Sequence, residues 1–331
     1  MARDSPAMSI RLPRTKPFRF SIQASSPPGG FTGTADDGVR WRELAKQVEG
    51  LGYDSLTIAD HLDEQWAVTP ALVSAAEATT TLTIGTLVWC NDYRHPVVLA
   101  KEAATIDLLS GGRLELGIGA GWMTTDYEQA GITLDRPGVR IDRLGEAITI
   151  MKGLFAEGPV NFTGEHYTVT GHEGTPKPLQ KPGPRFLLGG GGKRMLTLAA
   201  QQADIVGINV SLAAGVIDAS AGANATAEAT EEKLRWLAEA AGDRYDDLEL
   251  NTRVHLAVVT DDRMGLATMV APALGLSPEG ALESPHALAG TVEQLIDTIV
   301  ERRERFGLSY ITVGLDAVES FAPIVAQLAG A

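Results

Sequence analysis

Cysteine is nearly missing: Cys90 is the only one in 331 residues. That excludes an internal disulfide framework and a cysteine zinc cluster, and it fits a reducing cytoplasm, where the protein is expected. Basic side chains are also scarce, 28 against 42 acidic ones, for a net charge of −14. A field of that sign repels polyanions, so neither nucleic acid nor an anionic membrane surface is an expected partner. No apolar run approaches the length needed to span a bilayer. The opening MARDSPAMSIRLPRTK lacks the apolar middle of a signal peptide, so residues 1–16 are expected to be a flexible tail ahead of a single domain over 17–331. His166 and His172 fall in a glycine-containing segment without the spacing of a metal-binding helix, and no metal is expected.

The chain does have periodic apolar patterning. With 44% hydrophobic residues and a mean hydropathy near zero, it can bury a large core. FRFSIQAS (18–25) reads as a buried strand, and the helical spacing of TADDGVRWRELAKQVEGLG (34–52) follows. The alternation repeats through SLTI, LTIGTLV, RLELGIG, RFLLGGGG, DIVGINV, LELNTRVHLAVVT and SYITVG, each followed by a helical stretch. NFTGEHYTVTGHEGT (161–175) reads as a small inserted hairpin. Strands alternating with helices imply a parallel sheet, because parallel neighbours need a crossover. Eight units imply closure into a (β/α)8 TIM barrel with insertions, with a doubly wound open sheet as the competing architecture. Ser211 to Thr230, rich in alanine and glycine, reads as a mobile loop over the barrel mouth.

Barrel enzymes carry their chemistry at the C-terminal ends of the strands. There the second strand ends in Asp60 and His61, the third runs through LVWCND, the fourth ends in GIGAGW and the fifth ends in four glycines, Gly189 to Gly192. Four glycines leading into a helix offer bare amides and a helix N-terminus, a geometry that binds phosphate; the other reading is a tight strand-to-helix turn. Lys193 and Arg194 add charge beside it. GIGAGW departs from a dinucleotide fingerprint, because its third glycine comes one residue early, and close packing at a strand end explains it equally well. His61 fits a general acid or base, against the alternative of a structural histidine. Cys90 fits a small packed hydrophobe better than a nucleophile.

Taken in order, GYDSLTIADH, LTIGTLVWCNDYRHPVVLAKEAATIDLLSGGRLELGIGAGWMTTDYEQAG, LLGGGGKRMLTLAAQQAD and LAGTVEQLIDTIVERRERFGLSYITVG resemble the bacterial luciferase-like monooxygenase superfamily, most closely its actinobacterial branch that uses coenzyme F420. The resemblance covers nearly the whole chain after residue 16. It implies a TIM barrel carrying a flavin or deazaflavin, usually in a homodimer, and acting on a small molecule. By the same resemblance, Asp60 and His61 match the catalytic pair beside the reactive ring. The family's strand-three bulge, which often holds a non-prolyl cis peptide, falls at Leu87 and Val88. Asn91, Gly119, Thr125 and the phosphate loop Gly190, Gly191 and Gly192 complete the implied cofactor-binding set. Two departures stand out: Trp122 takes the place of the glutamate that serves as proton donor in the sugar-phosphate dehydrogenase of the superfamily, and Met123 stands where many relatives have Asn.

The implied activity is an F420-dependent oxidoreductase. Its rivals are an FMN-dependent monooxygenase on the same barrel, a non-catalytic flavin-binding barrel, and an aldolase or isomerase, for which no Schiff-base lysine or metal cluster is evident. Arg94, Lys177, Lys181, Lys193 and Arg194 form a candidate basic path for the polyanionic tail of F420; solvated surface charge is the other reading.

Overall fold

The computed structural model describes residues 10–212, 215 and 222–331. Its centre is a closed ring of eight parallel strands. In ring order these are β1 (Arg19–Gln23), β2 (Ser55–Ile58), β3 (Thr83–Thr86), β5 (Leu114–Gly119), β8 (Arg185–Gly190), β9 (Ile205–Ile208), β10 (Glu249–Arg253) and β13 (Leu308–Gly314), and β13 pairs back to β1. The contact that closes the ring sets Ile84 of β3 beside Leu114 of β5. After a bulge at Leu87 and Val88 the third strand resumes as β4 (Trp89–Cys90), which pairs with the end of β5.

Helices α1 (Asp36–Gly50), α2 (Val68–Ala78), α3 (Pro96–Leu109), α4 (Thr124–Ala130), α5 (Pro137–Phe155), α6 (Lys193–Gln202) and α7 (Ala227–Ala241) follow the strands in chain order. Helix α1 buries Trp41, Leu44, Ala45 and Val48 along one stripe, the pattern expected of a helix laid on a barrel. The strands are buried on both sides, which explains why they read as continuous apolar runs rather than as alternating ones.

At the N-terminal end of the barrel the interior is polar. Arg19 reaches Glu115 at 3.0 Å and Glu249 at 3.1 Å, and Arg185 reaches Glu249 at 2.8 Å. The Tyr310 hydroxyl donates to Glu115 at 2.8 Å. Each buried charge here has a partner of opposite sign, which is the condition for tolerating it.

One segment differs from the sequence reading. LELNTRVHLAVVT is two strands, not one. The chain leaves the ring after β10, where Val254 N donates to Thr312 O and His255 N then donates to His286 O. β11 (Leu256–Val259) accordingly pairs in parallel with β12 (Ala287–Gly290) in a separate two-stranded sheet. Helices α8 (Arg263–Leu274) and α9 (Pro278–Glu283) lie between these two strands; α10 (Val292–Phe306) and α11 (Ala322–Leu328) complete the chain. The end of the expected tail lies against the body: Ile10 and Leu12 pack on the core, and Arg11 pairs with Asp246 at 3.1 Å. Of the expected mobile loop, 213, 214 and 216–221 lie outside the described residues; Ser211 N donates to Asn224 Oδ1 at 2.7 Å. The inserted hairpin is β6 (Val160–Thr163) with β7 (Thr168–His172), antiparallel.

Candidate functional site

A cavity of about 920 Å3 opens at the C-terminal ends of the barrel strands, within the size range of small-molecule sites. Its barrel side is lined by Gln23 from β1, Asp60 and His61 after β2, Leu87 and Val88 at the bulge, and Gly119 at the end of β5. Gly189 to Gly192, Asn209 and Asn251 line it further round the ring.

The bulge shapes the cavity wall. The peptide bond between Leu87 and Val88 is cis. Gln23 Nε2 donates to Leu87 O at 2.7 Å, and Arg253 Nε donates to Gln23 Oε1 at 2.6 Å. Burial lowers the Arg253 guanidinium to about 10, still well above neutral pH, so this donor remains charged. The glycines of GIGAGW make room for the bulge. A Cβ at Gly117 would lie 1.9 Å from Thr86 O, and one at Gly119 would lie 2.8 Å from Val88 Cγ2. Close packing is therefore the physical account of that motif.

The two residues after β2 divide the work. Both oxygens of Asp60 are engaged, by Arg94 at 2.6 and 3.1 Å and by Cys90 N at 3.0 Å. Asp60 is thus a clamp that ties the second strand to the segment after the bulge. His61 is oriented by Asp126, whose Oδ2 lies 2.7 Å from Nδ1. A carboxylate can only accept, so Nδ1 carries the proton and Nε2 is the nitrogen left for a ligand. Asp126 also accepts from Leu62 N at 3.2 Å and from Tyr93 Oη at 3.0 Å. Burial, with neighbouring anionic groups including Asp126, pushes the Tyr93 phenol upward, so it stays protonated and donating. Trp122 meets the His61 ring edge to face, with centroids 5.6 Å apart.

The glycine run combines two requirements. A Cβ at Gly190 would meet Met195 Cγ at 2.7 Å, and one at Gly191 would meet Ser211 N at 2.2 Å and the Val210 carbonyl carbon at 2.3 Å. Gly190 thus makes room for Met195 of α6, and Gly191 lets the chain after β8 pass close to the chain leaving β9. Gly192 differs: it caps α6, no side chain caps the helix, and a Cβ there would meet nothing within 4 Å. Open space beside a bare helix N-terminus suits an anion.

Two residues of the implied set lie away from the cavity wall. Asn91 is fully buried and donates to the Tyr167 hydroxyl at 3.2 Å, which ties the bulge segment to the inserted hairpin. Thr125 is exposed on α4, while Asp126, one residue further on, turns inward to His61. Sequence spacing cannot show which residue of a one-turn stretch faces in when the helix axis is unknown. Gln23, Tyr93, Asp126 and Arg253 were not singled out by sequence; only the position of Gln23 near a strand end hinted at the site. Cys90 sits beneath the cavity with its thiol pushed up to about 11, chiefly by burial, which leaves it a poor nucleophile. Of the basic path, Arg94 is taken by Asp60, Lys177 donates to Leu154 O and Glu173 O, and Lys181 lies 3.9 Å from Glu157. Lys193 lies 3.9 Å from Glu239 and Arg194 pairs with Asp142.

A family model described as luciferase-like monooxygenase matches residues 18–264. The chain belongs to the luciferase-like monooxygenase family. An F420-dependent glucose-6-phosphate dehydrogenase of Amycolatopsis mediterranei is 32% identical over 158 residues, 45% of this chain and 47% of that protein. An FMNH(2)-dependent dimethylsulfone monooxygenase of Pseudomonas putida is 26% identical over 205 residues, 57% of this chain and 55% of that protein. The aligned stretch is thus about half the length of each of these relatives. The solved structure of a coenzyme F420-dependent tetrahydromethanopterin reductase from Methanopyrus kandleri superposes with a TM-score of 0.74 at 19% identity, covering 95% of this chain and 99% of that one. That likeness is one of fold. Among the described residues, no helix is long and apolar enough to cross a membrane, and no group of three or more His, Cys, Asp or Glu side chains is gathered to hold a metal ion.

Proposed function

We propose that this luciferase-like barrel binds coenzyme F420 and transfers a hydride between the deazaflavin and a small organic substrate, as a cytoplasmic homodimer. One observation carries the reading: a single cavity brings together the Leu87–Val88 bulge, the oriented His61 and the open edge of Gly192 at the start of α6. The residues fit such a cofactor. The first-turn amides of α6 and the space beside Gly192 accept a phosphate, and Val88 presents a small apolar face for a flat ring to rest on. When bound, the deazaflavin supplies the hydride chemistry.

The chain's own residues do the rest. His61 Nε2 gives or takes the proton that accompanies hydride transfer, while Asp126 and Tyr93 keep Nδ1 protonated and the ring fixed. Asp60 contributes through the bulge that it anchors, not as a proton carrier.

An FMN-dependent monooxygenase is the second reading, favoured by the Pseudomonas putida relative, because the glycine edge serves either phosphate. The tail of F420 separates the two. The pairs of Lys193 and Arg194 are more than half exposed on the cationic side, and exposed pairs of this kind are worth about 0–1 kcal/mol, so a polyanionic tail competes for these cations. Titrations of F420 and FMN into the purified protein, read by fluorescence at two salt concentrations, test the choice. F420 should bind at least about tenfold more tightly at low salt and lose affinity as salt rises, since charge is screened over about 8 Å at physiological ionic strength. Tighter, salt-insensitive binding of FMN would replace this reading with the monooxygenase.

A further inference from the structure

The cavity continues beyond the barrel into a lobe built by the insertion that separates β10 from α10. Its walls are Leu256 of β11, Leu266, Ala267 and Val270 of α8, Leu282 of α9 and Ala287 of β12. The insertion has charged residues, including Asp262, Arg263, Glu279 and Glu283, but among its described residues none that lines the cavity is Asp, Glu, Lys or Arg.

The polar groups that do line the lobe are held neutral. His286 is buried, which lowers it to about 3, and its Nδ1 lies 3.1 Å from Arg253 O. The His255 ring is exposed and lines the cavity, and desolvation there together with Arg253 brings it down to about 4. Of the three arginines lining the cavity on its barrel side, Arg194 pairs with Asp142, while Arg140 donates to Gly121 O at 2.7 Å and Arg253 to Gln23 at 2.6 Å; none of them belongs to the insertion. A charged substrate group entering this lobe would lose its water and meet no charged side chain on the insertion's own walls, which is unfavourable. An apolar group entering it gains with every methylene buried.

We propose that the lobe is the substrate-specificity pocket and that it takes the uncharged apolar body of the substrate, an alkyl or alicyclic group, and not a phosphorylated or carboxylated one. The substrate's reacting end then lies toward His61; that part of the inference rests on the function proposed above, whereas the chemistry of the lobe does not.

The test is a homologous series. Linear primary alcohols from butanol to octanol, used as neutral probes, are titrated calorimetrically into the full-length protein, with and without F420. Affinity should rise about two- to fourfold for each added methylene until the lobe is full, the upper figure being that of complete burial. Glucose 6-phosphate, used as an anionic probe of the F420-loaded protein, in which the phosphate edge at Gly192 is occupied, should bind more weakly than hexanol and should not displace it. Val270→Trp, which fills the lobe from α8, should end the rise at a shorter alcohol and leave F420 affinity within about twofold; Leu266→Trp is the second variant if the first does not fold. A flat series, tighter binding of glucose 6-phosphate, or an unchanged series in a folded lobe-filling variant would each overturn the inference. A steep series in a protein that fails to bind F420 would keep the lobe and remove the cofactor assignment, so the two failures are distinguishable.

Discussion

Gly191 and Gly192 are neighbours with opposite constraints, and replacing each by valine separates phosphate binding from packing. At Gly192 the backbone is extended, with φ −103° and ψ 147°, and a Cβ meets nothing within 4 Å. Valine fits this conformation without strain, and as a poorer N-cap it should cost about 1 kcal/mol or less of stability. Its branches, however, occupy the space proposed for the phosphate. Losing one charge-assisted hydrogen bond to the anion costs about 1.5–3 kcal/mol, which weakens F420 binding by about 10- to 150-fold. At Gly191 the new Cβ lies 2.2 Å from Ser211 N and 2.3 Å from the Val210 carbonyl carbon. These are backbone atoms and cannot swing away, so overpacking should cost about 1–3 kcal/mol or more. Thermal denaturation and fluorescence titration of both variants give the two readouts. Gly192→Val should melt close to the parent and bind F420 poorly, and Gly191→Val should melt several degrees lower. A folded Gly192→Val protein with parental affinity for both F420 and FMN would refute the phosphate role of the α6 N-terminus.

Further expectations follow from the same geometry. His61→Ala should lower turnover by about 10²- to 10⁴-fold, the usual range for a general acid or base, while leaving cofactor affinity within about threefold, and Asp126→Asn should reproduce much of that loss through a misoriented imidazole. Equal losses of turnover and affinity would make His61 a binding residue. Folding should weaken as pH falls below 6.5, because His286 stays neutral in the folded protein down to about 3, whereas in the unfolded chain it takes up a proton near 6.5. Between pH 6.5 and 5 this one group should remove roughly 2 kcal/mol. His286→Gln should flatten that slope in urea denaturation at the two pH values, and an unaltered slope would dismiss His286 as its source. Asp60→Ala strands Arg94, only 23% exposed, and frees the bulge segment at Cys90 N. A loss of about 3 kcal/mol is expected, at the lower end for a broken buried pair, and denaturation within 1 kcal/mol of the parent would contradict the clamp.

The barrel was legible in the sequence because each strand is buried on both faces and each helix buries one stripe. Burial of those kinds writes itself into local periodicity, as SYITVG within β13 and the Trp41, Leu44, Val48 stripe of α1 demonstrate. The strand ends also marked the mouth of the cavity, since Asp60, His61 and the four glycines interrupt apolar runs at the same end of the barrel and line it together. Tertiary structure alone decided which of these side chains face one another. Asp126 reaches His61 across 65 residues of sequence, and no local pattern distinguishes it from the exposed Thr125 beside it. The division of LELNTRVHLAVVT into two strands likewise depends on a change of hydrogen-bonding partner, from Thr312 O to His286 O, and not on any change in its residues' character. The sequence therefore determined which segments are buried, because burial is a property of each segment's own side chains. The partners of Asp60, His61 and Gly191 were decided only when distant segments met, because contact is a property of pairs.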